Sequence, residues 1–228
     1  MKTRYTEING IYDIGLKLSE PEKKSTGYIL AVHDLGGDME CGLITQLAKR
    51  MTAHGLAVVS FDLPGHGMSS ASEYLSLHNC RRDMLDVIRY ADAEYSVPAP
   101  AAVFAIGFGG YVTLLNAEEL HPMTDIVLLS PAVDMQRSSD RFRCSLKIPE
   151  SFRRELERNR ITGRDISREM LIIHGSNDET VTTEDIRSFC KDAPKAVLRI
   201  IEGADHGFSS TIHIQQAIDI AAEYITEV

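Results

Sequence analysis

Two hydrophobic patterns alternate along this chain. Short runs that are apolar almost throughout, Gly27–Val32, Leu56–Phe61, Ala102–Ile106, Asp125–Leu129, 170–174 and Ala196–Ile201, read as strands buried on both faces. Between them lie segments with apolar residues at helical spacing. Leu43, Leu47 and Met51 predict a helix over 39–54. Further helices are expected at Leu77–Tyr95, with Pro98 and Pro100 as breakers, and at 110–120 and 182–191. Ile214, Ile218, Ala221 and Ile225 mark a closing helix. At the start, 3–8 and 11–18 read as two strands joined by a tight Asn9-Gly10 turn. The alternation predicts an α/β fold, a mostly parallel sheet with helices on both faces. In such sheets, ligands bind beyond the carboxyl ends of the strands. Chemistry is therefore expected in the loops after Val32, Phe61, Ile106, His174 and Ile201.

One stretch, 134–168, breaks the alternation. From 137 to 168 it carries ten Lys/Arg against five Asp/Glu, in a chain whose net charge is -9. Such a run is usually a solvated helical surface laced with i,i+4 pairs. Its alternative is a basic lid that draws in an anionic ligand. The acidic balance argues against nonspecific nucleic-acid binding. Cys41, Cys80, Cys144 and Cys190 have neither zinc nor disulfide-framework spacing, and the eight histidines show no paired metal-ligand spacing. No run is long and apolar enough to span a membrane, and Met1 to Asn9 has no signal-peptide core. The expectation is a single cytoplasmic domain over 1–228, without cofactor or metal; nothing in it indicates an oligomeric state.

Four strand-end strings carry the candidate chemistry. They are His33-Asp34-Leu35-Gly36-Gly37; Asp62-Leu63-Pro64-Gly65-His66-Gly67-Met68-Ser69; His174-Gly175-Ser176-Asn177-Asp178-Glu179-Thr180-Val181; and Glu202-Gly203-Ala204-Asp205-His206-Gly207-Phe208. In order and content they resemble the α/β-hydrolase family, especially small bacterial esterases and lysophospholipase-like serine hydrolases. The resemblance runs from about Gly27 onward. It implies an α/β-hydrolase fold with 134–168 as a short cap insertion. It makes Asp178 the triad acid and His206 the general base, and gives half of an oxyanion hole to the Leu35 N–H, with His33, Asp34 and Phe108 around it. The second string is implied to be structural, so His66 and Ser69 receive no catalytic role. The implied ligand is an acyl-containing small molecule, anionic if the basic stretch serves as a lid.

Two positions depart from the family pattern. Asp34 stands where glycine is usual, and a carboxylate beside a developing oxyanion opposes it unless it points away. The string Ala105-Ile106-Gly107-Phe108-Gly109-Gly110 stands where G-x-S-x-G is expected. Helix phrasing puts Gly107 at the nucleophile position, strand phrasing puts Gly109 there, and a two-residue deletion is a third alignment. None supplies a nucleophile, and Thr113 lies inside the helix that follows. Three readings result: a binder without turnover, an enzyme relying on His206 and Asp178 with Asp34 as a further acid or base, and an esterase whose serine (Ser69, Ser176 or Ser209) comes from another loop.

Overall fold

The computed structural model describes residues 1–67, 72–135, 138 and 149–226. Eight strands form one sheet: β1 Lys2–Ile8, β2 Ile14–Glu20, β3 Gly27–Val32, β4 Leu56–Phe61, β5 Ala102–Ile106, β6 Asp125–Leu129, β7 Met170–Gly175 and β8 Ala196–Ile201. Their order is β1-β2-β4-β3-β5-β6-β7-β8. The β1/β2 and β2/β4 pairs are antiparallel, and all the others are parallel. Strands β3, β5 and β7 are buried at every residue, because helices cover both faces.

Six helices accompany the sheet among the described residues: α1 Gly42–Ala53, α2 Leu77–Tyr95, α3 Gly107–Leu115, α4 Glu150–Arg158, α5 Thr183–Asp192 and α6 Thr211–Thr226. The two-residue period of β3 sorts its side chains. Tyr28, Leu30 and Val32 join a core with residues of α2, α3, α4 and α5. Ile29 and Ala31 join a second core with α1 and α6. Helix α4 places Phe152 edge-on against Phe108, with ring centroids 5.7 Å apart.

Three expectations need correction. The first two strands do not meet at a two-residue Asn9-Gly10 turn. Ile8 pairs with Ile14, so 9–13 form a longer connection, and β2 begins at Ile14 rather than Ile11. A tight turn would shift the register by an odd number of residues and exchange the faces of β1 relative to β2. The observed register keeps Ile8 beside Ile14 on the core face, and Asn9 bonds Glu7 and Asp13 across the longer loop. Helix α1 begins at Gly42, not at 39, because Asp62 and Asp38 draw the Met39 and Glu40 N–H groups into a turn. Helix α3 begins at Gly107, not at 110, and stops at Leu115, which bears directly on the site.

Candidate active site at the strand ends

The loop after β3 is built from His33. Its ring is fully buried, and its Nε2 accepts the Leu63 N–H at 3.0 Å. That fixes the proton on Nδ1, which donates to the Asp34 carbonyl at 2.7 Å. The same carbonyl accepts the Gly37 N–H at 2.9 Å, closing a turn whose third residue, Gly36, has φ 78°. Burial, together with the neighbouring His66, holds the His33 pKa down to about 4, so this ring is a neutral brace for the loop. The string that follows β4 braces too. Asp62 accepts the Met39 N–H at 2.8 Å, and His66 Nδ1 donates to the Pro64 carbonyl at 3.0 Å. Ser69 lies outside the described residues.

Across from this loop, β5 runs straight into α3 at Gly107, whose φ is +49°. A left-handed residue at a strand-to-helix junction is a sharp turn that suits glycine. Gly109 lies in the first turn of the helix, where a Cβ would come within 2.5 Å of the His33 carbonyl oxygen and 2.7 Å of the Val32 carbonyl oxygen. Of the two glycines named from the sequence, Gly107 thus forms the turn and Gly109 the contact with β3.

Asp34 points into the space over Gly107. Its Oδ1 accepts the Leu35 N–H at 2.7 Å and the Phe108 N–H at 2.6 Å. Its Oδ2 lies 3.1 Å from His206 Nε2. A Cβ added to Gly107 would overlap the Asp34 carboxyl group. No side chain at 107 can coexist with Asp34 in this position.

His206, in the loop between β8 and α6, is gripped from the other side by Asp178. Its Nδ1 donates to Asp178 Oδ2 at 2.8 Å, and Asp178 Oδ1 accepts the Thr180 and Val181 N–H groups, each at 2.8 Å. Burial works against charge on His206, but hydrogen bonds and attraction from Asp178 and Asp34 outweigh it and raise its pKa to about 10. Burial likewise opposes charge on Asp178, yet His206 holds its pKa below the usual carboxylate value. At neutral pH His206 is an imidazolium that donates from both nitrogens to two carboxylates.

The structure therefore brings Asp34, Leu35, Gly107, Phe108, Asp178 and His206 together. His33 lies behind them, bonded to backbone. Ser176 Oγ accepts the Gly203 N–H at 2.8 Å, Ser209 Oγ donates to Asp205, and Thr113 Oγ1 donates to the Gly109 carbonyl at 2.9 Å. Ser176 thus links the loops after β7 and β8, while Ser209 and Thr113 serve their own loop and helix. The sequence did not reveal that Asp34 points inward. The available signal was a coincidence: an acid replaces glycine in one loop while glycine stands at the turn of the facing loop. In the basic stretch, Arg154 pairs with Glu150 at i,i+4 and Arg164 with Asp192. Positions 136, 137 and 139–148 of that stretch, Cys144 among them, lie outside the described residues.

The fold matches solved esterases over nearly its whole length. Est1E from Butyrivibrio proteoclasticus, solved with ferulic acid bound, superposes with a TM-score of 0.81 at 20% identity, covering 97% of this chain and 98% of that one. The esterase domain of a Rhodothermus marinus protein gives 0.77 at 20% identity, with 98% of each chain covered. Mouse alpha/beta hydrolase domain-containing protein 10 gives 0.77 at 16% identity, covering 99% of this chain and 98% of that one. No curated protein sequence matches the chain. No described helix is long and apolar enough to cross a membrane. The family model for serine aminopeptidases of the S33 group matches residues 23–170. With that match over more than half of its length, an eight-stranded sheet of the same architecture and these strand-end loops, the chain belongs to the S33 serine aminopeptidase family of α/β hydrolases.

Proposed function

We propose that this esterase-like hydrolase does not run the serine acyl-enzyme cycle, and that toward acyl compounds it binds with weak or no turnover. One observation carries the reading: the Asp34 carboxylate occupies the space over the Gly107 turn, on the Leu35 and Phe108 N–H groups and against His206. Serine catalysis needs a hydroxyl at the turn, a neutral imidazole to take its proton and free N–H donors for the developing oxyanion. Here the turn residue has no side chain. The imidazole is doubly bonded and protonated, and both donors are engaged. An anionic ligand group would also meet Asp34, so the basic stretch does not by itself make this an anion site. We assign 134–168 the role of a cap over the site, supported by the seat of Phe152 on Phe108.

The test is intact-mass analysis after treatment with a fluorophosphonate, with a competent serine esterase labelled in parallel. The expected result is no adduct on this chain. A stoichiometric adduct would overturn the proposal, and peptide mapping would then locate the nucleophile.

The charged array also favours a second reading, an enzyme without a serine intermediate. Asp34 and His206 keep 23% and 17% side-chain exposure, so both touch solvent.

A further inference from the structure

We infer that His174 is a second proton-binding site, behind the Asp178–His206 pair, and that a proton bound there draws Asp178 Oδ2 away from His206. The inference concerns how the pair is held, and it stands whether or not the site turns a substrate over. His174 is the next-to-last residue of β7. Its ring is fully buried, and neither of its nitrogens has a hydrogen-bond partner among the described residues. Buried polar side chains are normally paired, so this ring calls for an explanation. Its Nδ1 lies 3.8 Å from Asp178 Oδ2, the same oxygen that accepts from His206 Nδ1 at 2.8 Å. One carboxylate oxygen therefore faces two imidazoles, bonded to one and just out of hydrogen-bond reach of the other.

The other end of the Asp178 carboxylate is fixed. Oδ1 accepts the Thr180 and Val181 N–H groups, each at 2.8 Å, so Oδ2 is the end that can swing. The surrounding charges leave room for one more proton. Asp34 and Asp178 are carboxylates and His206 is an imidazolium, so the cluster carries one net negative charge. Three charged groups act on the His174 ring: Asp178 from its own loop, His206 from the loop before α6 and Asp185 from α5. At the end of β6 the neighbouring residue is the neutral Ser130, whose N–H donates to the Ile173 carbonyl at 2.8 Å. Burial and the His206 charge hold the His174 pKa below the ordinary imidazole value of 6.5, while Asp178 and Asp185 pull it upward. The ring is therefore neutral at neutral pH and takes its proton in acid. A buried charge needs a close partner, and Asp178 Oδ2 is the carboxylate oxygen nearest at hand. Closing that gap to the length of a charge-assisted hydrogen bond moves Oδ2 by about 1 Å, because the ring is anchored in the strand. His206 Nδ1–H then shares or loses its acceptor.

The experiment is an NMR titration of the full chain, labelled with nitrogen-15 and carbon-13 so that each imidazole is assigned through its own backbone. As pH falls from neutral, the His174 nitrogens are expected to pass to the imidazolium pattern while the chain stays folded. With the same midpoint, the His206 Nδ1–H resonance is expected to move upfield as its hydrogen bond lengthens. His174→Phe is expected to abolish that step and to leave His206 protonated at neutral pH. The coincidence of midpoints is read on wild type alone and needs no variant to fold. It also separates this step from the titration of His33 at about 4. Three results overturn the inference: His174 stays neutral until the chain unfolds, His174 titrates with no movement at His206, or the His206 step persists in His174→Phe. None of them touches the fluorophosphonate result, so the two proposals fail separately.

Discussion

Asp34 and Gly107 form one unit, because the first occupies the volume that any side chain at the second would need. Gly107→Ser puts a Cβ into a left-handed backbone position, which costs about 1–3 kcal/mol. It also drives Asp34 off two charge-assisted hydrogen bonds. We expect a loss of about 2–4 kcal/mol in urea unfolding from these two effects together, and no fluorophosphonate adduct. The double variant Asp34→Gly with Gly107→Ser removes the collision and frees both N–H groups. It is expected to recover part of that stability and to accept the fluorophosphonate at position 107. Equal stability of the two variants would show that the collision is not what separates these residues.

At the scale of elements, Arg168 ties the chain entering β7 to the segment between α3 and β6. Its Nη1 donates to the Ala117 and Leu120 carbonyls at 3.0 and 2.9 Å, and its Nη2 to those of His121 and Thr124 at 3.1 and 2.9 Å. Arg168→Met leaves these acceptors without that donor and is expected to cost about 2–3 kcal/mol. Arg168→Lys, lacking the planar fork, should recover less than half of it. A thermal unfolding midpoint unchanged in Arg168→Met would refute this role. Such a hub was illegible in the sequence, where Arg168 was one charge in a basic run. The central strands were legible because burial on both faces leaves nearly uninterrupted apolar runs, as in Gly27–Val32. The start of α3 was not. Gly107, Phe108, Gly109 and Gly110 have poor helix propensity, and the helix begins there because the glycines let it press on β3 and Pro131. Asp178 and His206 stood in recognisable strings, and the structure brings them together. The direction of Asp34 depends on a contact with Phe108, 74 residues away, and no local pattern encodes it.

For the whole molecule, buried and half-buried histidines set opposing limbs of a stability profile. His33 has a folded pKa of about 4 against 6.5 when unfolded. Its contribution is complete above 6.5 and is lost as pH falls through 4, because the unfolded chain then binds the extra proton. Burial lowers His66 and His174 as well, so they act in the same sense. His206 has a folded pKa of about 10, so its contribution is complete below 6.5 and is lost as pH rises through 10. Urea unfolding across pH should therefore trace a dome. His206→Gln should flatten its alkaline limb and keep the slope between 4 and 6.5; an unchanged alkaline limb would show that His206 does not set it. The overlap of Asp34 with the space above Gly107 has a further consequence, for how this sequence can change. Adding a hydroxyl at 107 alone is expected to damage the fold, and deleting the acid alone places no hydroxyl at the turn. The two mutations are therefore expected to show sign epistasis, with a valley between this pair and a turn that carries serine. A screen that proceeds one substitution at a time stalls at its edge, whereas a library that varies positions 34 and 107 together crosses it in one step.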